Sequence, residues 1–530
     1  MKSLIYQSGL LLAAVTCLLT MQPPPSTAQT FTNFYNFQAA STNKEEMWTN
    51  QLGATPSGPL LLLGNMLYGA TGQGGTNGTG VIYSVTTNGT AYTVLHTFAA
   101  VAANKSGIGT NRDGSSPAGG LIVSGTTLYG VTAYGGTNGY GTVFSIGTNG
   151  TGFISVHAFA AGATNTSLDI FTNKEGANPL AGLTLSGSVL YGTAGYGGLH
   201  GDGGVYSLNI SGASFTNFYS FTAMVASNND DGANPYGSLL LVSNRLFGTT
   251  ENGGTNGTGS IFSVLTNGAS FSDLHSFANV AVWGSGPYAN IYTNADGANS
   301  RATLTIVGST LYGTATFGGL YGYGTLYSME TNGLSFTNLH QFAEGGLNLT
   351  DFAITNSDGS WPQAGLTYSG GVLYGTCEYG GNGLGTVFSV TTNGNEYTVL
   401  HYFPAGSTLT IFPNGTNSDG AYPQTQMLLA NGFLYSSAAY GGLYGSGTLF
   451  GIPASGVLPP LPVLTITPQH PNVLLSWSTN FTGYTLQFTT NLEPAAWFTV
   501  SPLPGIIGTN YVVTNSISIT VTNRFFRLEQ

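Results

Sequence analysis

Residues 373–389 read LYGTCEYGGNGLGTVFS, and the landmarks of this stretch recur along the chain in the same order. The triplet LYG, or a close variant, begins at Leu67, Leu128, Leu190, Leu246, Leu311, Leu373 and Leu434, at spacings of 61, 62, 56, 65, 62 and 61 residues. A double glycine follows each one, from Gly74-Gly75 to Gly441-Gly442, and then a short apolar run such as Thr142-Val143-Phe144-Ser145. Asn-Gly pairs usually come next (Asn88-Gly89, Asn149-Gly150, Asn267-Gly268, Asn332-Gly333, Asn393-Gly394), the dipeptide that populates positive φ in tight hairpins. A fourth segment closes the unit, as from Tyr92 to Phe98, and an apolar stretch with a DGxxP-like start opens it, as at Asp231-Gly232-Ala233-Asn234-Pro235.

Each unit therefore predicts four short antiparallel strands, rich in Val, Ile, Leu, Phe and Tyr and without a sustained 3.6-residue pattern. Four strands repeated at a fixed period describe a propeller blade, and seven blades lie within the usual range. A two-layer sandwich gives no reason for seven equal periods. The expected fold is all-β, a seven-bladed propeller over 29–452.

The closing strand also occurs before the first LYG. Phe31-Thr32-Asn33-Phe34-Tyr35-Asn36-Phe37 matches Phe215–Phe221 and Phe336–Phe342, whereas Leu449-Phe450-Gly451-Ile452 of the seventh unit runs straight into Pro453. Seven closing strands exist, displaced by one unit. Ring closure follows as an expectation, with residues 31–37 as the outer strand of the last blade, so that no blade edge is left open.

The elements DGAN-P, LYGTA-x-x-GG, G-T-V-F-S and L-H-x-F resemble the GloVer (Gloeo/Verruco) tandem repeat of exported bacterial proteins, over 31–452. The resemblance implies a secreted or cell-surface propeller-like protein, and it brings no catalytic residues. The LYG and GG order is also distantly similar to kelch blades, but the tryptophan expected later in a kelch unit is missing.

The chain carries 9 Lys+Arg against 20 Asp+Glu, a net charge of −11, with no basic cluster. Phosphate neutralisation needs such clusters, so nucleic acid is excluded as a partner. Glycine (80) and proline (22) together stay below the roughly 25–30% that marks low complexity, and 41% apolar residues suffice for a core. Lys2, the apolar run Leu4–Leu19 and Ser26-Thr27-Ala28 read as a secretory leader over 1–28, cleaved after Ala28. The run is short of the ~20 residues that span a bilayer, and no second stretch of that length exists, so the mature chain is expected to lack a transmembrane segment. With Cys17 removed, only Cys377 remains and no intramolecular disulfide forms. A Pro-rich linker (453–462) leads to alternating apolar runs over 463–530, which look like a small fibronectin type III-like sandwich with Trp477 as core anchor.

Three residue sets are candidates for function. Asp113, Glu175, Asp231, Asp296, Asp358 and Asp419 each precede a glycine at the start of a blade; they serve turns, or form an acidic ring around one channel mouth able to hold a cation or act as acid and base. His96, His157, His275, His340 and His401 lie in closing strands, where a loop carbonyl is the expected partner; Tyr35 and Tyr219 take the same slot. Tyr134, Tyr196, Phe317, Tyr379 and Tyr440 directly precede the double glycine, with Tyr323 and Tyr444 nearby. Their loops and the blade-to-blade connections, 10 to 19 residues long, emerge on one face. Flat phenol faces on a nearly uncharged rim suit a polysaccharide or a protein ligand. Tyr374 and Cys377 lie close together, but nothing else of a copper site accompanies them. No hydrolase triad motif, P-loop or Cys/His metal spacing occurs, so no metal or cofactor is expected. The reading is a monomeric, exported, non-enzymatic binding scaffold; the alternative is an extracellular carbohydrate-active enzyme using the mouth carboxylates.

Overall fold

The computed structural model of the chain describes residues 31–43, 47–165, 170–283, 291–347, 354–404 and 415–454, and in the C-terminal part 464–469, 472–478, 485–489, 498–501, 504–507, 510–516 and 525–529. The leader with Cys17, most of the Pro-rich linker, the Trp477 side chain and the expected strand Ile517–Val521 lie outside the described residues.

In the seventh blade Ser436 stands opposite the third-strand Phe450; in the other six the glycine of the LYG triplet sets the register. It faces the aromatic of the third strand: Gly69 pairs Tyr83, Gly130 Phe144, Gly192 Tyr206, Gly248 Phe262 and Gly313 Tyr327. The ring lies across the glycine so closely that a Cβ on Gly375 would sit 2.4 Å from the Phe388 ring. A cross-strand pair of this kind stabilises a sheet through its side-chain contact. The glycine makes room for a ring that is then fully buried.

Seven four-stranded antiparallel sheets result. The first is Ala54–Leu63, Met66–Gln73, Val81–Thr86 and Thr93–Thr97. The sixth is Thr367–Ser369, Val372–Cys377, Thr386–Thr391 and Thr398–Tyr402. The last phenylalanine of each closing segment (Phe37, Phe98, Phe159, Phe221, Phe277, Phe342, Phe403) is buried to 0–1% exposure. Each such burial contributes about 1.5–3 kcal/mol. The hydrophobic clusters join neighbouring blades, as where Tyr191 and Val205 of the third pack with Leu246 and Phe262 of the fourth.

The seventh sheet runs Thr32–Asn36, Thr448–Pro453, Phe433–Ala438, Leu428–Ala430. Thr32 pairs Gly451, Asn33 Phe450, Tyr35 Leu449 and Asn36 Thr448. Phe37 N–H donates to Gly447 O at 3.1 Å, and Asn33 Nδ2 donates to Ser418 O at 2.8 Å. The N-terminal strand closes the ring, as the displaced repeat requires.

Most blade-to-blade connections are themselves β-hairpin arms, for example Ala102–Ala103 with Gly109–Thr110 and Ala281–Trp283 with Ile291–Thr293. Among the described residues no helix is long and apolar enough to cross a membrane.

The described residues from 464 onward form a second compact unit. Its four-stranded sheet orders Thr465–Gln469, Asn472–Ser478, Asn510–Ser516, Gly505–Ile507, and its three-stranded sheet Phe498–Thr499, Thr485–Thr489, Phe525–Glu529. Leu475 and Val513 of the first sheet share a buried cluster with Leu486 of the second.

Candidate functional site

The blade-start acids do not form a ring around the channel. None of the six lines the axial cavity; each turns toward the closing strand of the preceding blade. His96 Nε2 lies 3.0 Å from Asp113, His157 3.0 Å from Glu175, His275 2.9 Å from Asp296, His340 2.9 Å from Asp358 and His401 3.0 Å from Asp419. In the fourth copy the Tyr219 hydroxyl donates to Asp231 at 2.7 Å. The histidine partner is therefore a carboxylate rather than a loop carbonyl. Where the acid is replaced by Leu52, the slot holds Tyr35, which needs no counter-charge. Main-chain N–H groups just past the closing strand donate to the same carboxylates, as Ala160 to Glu175 at 2.8 Å.

Each imidazole also stacks on an aromatic of the next blade. The centroids are 3.7 Å apart for His96–Phe153, 3.9 Å for His157–Phe215 and His275–Phe336, and 3.8 Å for His340–Tyr397. Phe31 completes the series on His401 at 3.7 Å. Burial lowers the His157 pKa against the opposing pull of Glu175. For Asp419, burial pushes upward, but hydrogen bonds from His401 and Ser418 and the His401 charge outweigh it, and its pKa is lowered. These acids and histidines are clips between blades.

A second repeated polar group escaped the reading of the sequence. Asn50, Asn111, Asn173, Asn229, Asn294, Asn356 and Asn417 stand three residues before the blade-start glycine. Asn111 Oδ1 accepts N–H bonds from Gly114 and Gly136, both at 2.8 Å, tying the start of the blade to its double glycine. Its signal was an asparagine at that position in all seven units, the acid-less first included.

The axial cavity lies where the first strands converge. It has a volume of about 660 Å³ and is walled by Gly58, Gly119, Gly182, Gly237 and Gly365 among the innermost residues. A Cβ on Gly58 would meet Gly119 O at 1.6 Å, so two blades touch there through bare backbone. A smaller hollow of about 320 Å³ shares Gly58, Gln424 and Thr425 with it and extends to Tyr440.

The polar groups of the mouth break the seven-fold repeat. Arg301 pairs with Glu251, and its guanidinium carbon lies 5.8 Å from the Tyr236 ring centroid. Arg301 Nε is buried without a protein partner. Glu378, in the slot equivalent to Glu251, accepts from Gln363 and from Gln424, the latter at 2.7 Å. Burial pushes the Glu378 carboxyl up to about 6, against the Gln424 bond, the Arg301 charge and bonds from Tyr379 and Gln363. The Tyr236 hydroxyl donates to the Tyr196 hydroxyl at 2.6 Å, and burial raises the Tyr236 pKa.

Aromatic rings flank this group in an arc. Edge-to-face contacts link Phe317 to Trp361 (5.0 Å), Trp361 to Tyr379 (4.8 Å), Tyr379 to Tyr422 (5.0 Å) and Tyr422 to Tyr440 (6.2 Å). Of the sequence candidates, Tyr196 lines the axial cavity and Tyr440 the smaller hollow, while Phe317 and Tyr379 join the arc through their contacts with Trp361 and Tyr422 and line neither. Tyr134 and Tyr444 are exposed but do not border the cavity. Tyr323 is only 4% exposed, with its hydroxyl on Gly345 O at 3.2 Å, and serves packing.

Trp361, Tyr422 and Arg301 were not among the sequence candidates. The first two occupy a slot held in left-handed backbone in every blade: Thr55, Ser116, Asn178, Asn234, Asn299, Trp361 and Tyr422, with φ of 51° to 58°. Comparing that slot across the seven units would have singled them out. Among the described residues no three His, Cys, Asp or Glu side chains come together as a metal site.

The family described as the Gloeobacter/Verrucomicrobia repeat matches residues 160–298 of this chain. No curated protein matches it. Among solved structures, an oligogalacturonate lyase in complex with manganese aligns with a TM-score of 0.42 at 11% identity, covering 80% of this chain and 96% of that one. A puromycin hydrolase aligns with a TM-score of 0.42 at 9% identity, covering 82% and 61%. TolB from Acinetobacter baumannii aligns with a TM-score of 0.32 at 12% identity, covering 60% and 58%.

Proposed function

We propose that the chain is an exported, non-enzymatic binding protein whose channel mouth takes a glycan. The observation that carries this reading is the arc of partly buried rings, Phe317, Trp361, Tyr379, Tyr422 and Tyr440, beside a polar group in which the buried Glu251 and Glu378 are held by the more exposed Arg301, Gln363 and Gln424. Aromatic faces cover the C–H faces of sugar rings, while a few fixed polar groups read hydroxyls and set orientation. The blade-start acids are engaged in clips away from the axial cavity, which favours the binding reading over the enzymatic alternative. Glu378 keeps that alternative testable, because a buried carboxyl raised to about 6 is suited to proton transfer.

Native gels cast with soluble polysaccharides test the reading. Retardation that leaves the polysaccharide uncut in a reducing-end assay supports it. New reducing ends, lost in Glu378→Gln, replace it with the enzyme; a protein that no polysaccharide retards or contacts overturns both. Export rests on the leader-like residues 1–28, and N-terminal sequencing of the mature protein should start at Gln29.

A further inference from the structure

We infer that the mouth selects an uncharged polysaccharide with flat, equatorial-hydroxyl sugar units, of the glucan or xylan type, and rejects acidic glycans. This rests on the glycan reading above and names its ligand class.

The first support is charge. Arg301 is the one cation among the residues walling the cavity, and its guanidinium is already paired with Glu251. Glu378 stands in the same group, with its oxygens held by two glutamine amides. A uronate or sulfate entering there would have to take Arg301 from Glu251 while facing a second carboxylate, and an unpaired buried charge is costly. A neutral hydroxyl both donates and accepts, so it can bond Glu251 or Glu378 and accept from the unpartnered Arg301 Nε without displacing the ion pair.

The second support is where the aromatics stand. At the left-handed slot, three blades carry asparagine, the residue that tolerates this backbone best, and its amide bonds a neighbouring carbonyl, as Asn299 Nδ2 to Glu251 O at 2.8 Å. Trp361 and Tyr422 hold the same conformation, at φ 57° and 58°, with bulky side chains that are only partly buried. A bulky residue kept in strained backbone without full burial marks a functional position. Both rings extend the arc that runs past Glu378, so a planar sugar face has a platform next to the hydroxyl-reading groups.

Native affinity gels with soluble β-glucan, arabinoxylan, polygalacturonate and heparin decide the matter, comparing the full chain with Trp361→Asn. Asparagine is what blades three to five carry at that slot, so the variant is expected to fold, and its melting temperature checks this. Retardation by β-glucan or arabinoxylan, weakened by at least about tenfold in Trp361→Asn, is expected. Retardation by polygalacturonate or heparin instead overturns the neutral-ligand inference while leaving the glycan reading standing. Equal retardation of a folded Trp361→Asn overturns the platform. No retardation by any of the four removes the glycan reading itself.

Discussion

Phe37 and Phe221 occupy the same place in two different blades, yet they reach it differently. Phe221 ends a closing strand continuous with its blade, whereas Phe37 arrives from the opposite end of the chain. Both are 0% exposed. The Phe37 ring lies 5.5 Å from Tyr83 and 5.1 Å from Tyr35, both edge to face, and its N–H donates to Gly447 O at 3.1 Å. The Phe221 ring lies 5.3 Å from both Phe262 and Tyr219, and its N–H donates to Gly203 O at 3.2 Å. Replacing a fully buried Phe with Ala costs about 3–5 kcal/mol, through lost burial and the cavity left behind. If residues 31–37 are a full blade strand, Phe37→Ala and Phe221→Ala should each cost that much, agreeing to within about 1 kcal/mol. Urea denaturation followed by aromatic fluorescence and near-ultraviolet circular dichroism measures both. A Phe37→Ala protein as stable as the parent, beside a strongly destabilised Phe221→Ala, would refute closure by the N-terminal strand.

Three further outcomes are expected. Trp361→Asn should raise stability by about 1 kcal/mol if relief of left-handed strain exceeds the packing lost against Phe317 and Tyr379, and a thermal melt reads the sign. Glu378 binds its proton more tightly in the folded state, so its contribution is fully present below about pH 4.5 and is lost as pH rises through about 6. Glu378→Gln should flatten the stability profile over that window and gain up to about 2 kcal/mol at neutral pH; an unchanged slope assigns the titration elsewhere. Asp419 has a lowered pKa, so its clip with His401 stabilises above its ordinary value near 3.8 and fades as pH falls below it. Asp419→Asn should therefore lose stability at pH 6 and converge with the parent in acid, as urea titrations at the two pH values would show.

The repeat was legible because its period is carried by positions with narrow backbone and space requirements. The LYG glycine is favoured by the ring across from it, with Ser436 in its place only in the seventh blade, and the double glycines are dictated by positive φ, so nearly the same letters return in each blade. Closure was legible because the motif Phe31–Phe37 stood one unit out of place. The partners of the acids were not, since Asp113 and His96 are 17 residues apart, across a hairpin arm whose path no local pattern reveals. The mouth was half legible. Aromatics before the double glycine were visible as a repeated position, but Tyr323 has a similar sequence setting and a buried side chain. Trp361, Tyr422 and Arg301 were hidden because they break the repeat, each standing where other blades carry a different residue type.

The most direct measurement is a crystal structure of residues 29–530 soaked with a neutral β-glucan oligosaccharide. Density for a sugar ring against Trp361 and Tyr379, with hydroxyls in reach of Arg301 Nε and Glu378, is expected. A sugar seated on the opposite face or on the second unit, with the mouth empty, would contradict the assignment of this end of the propeller as the ligand face.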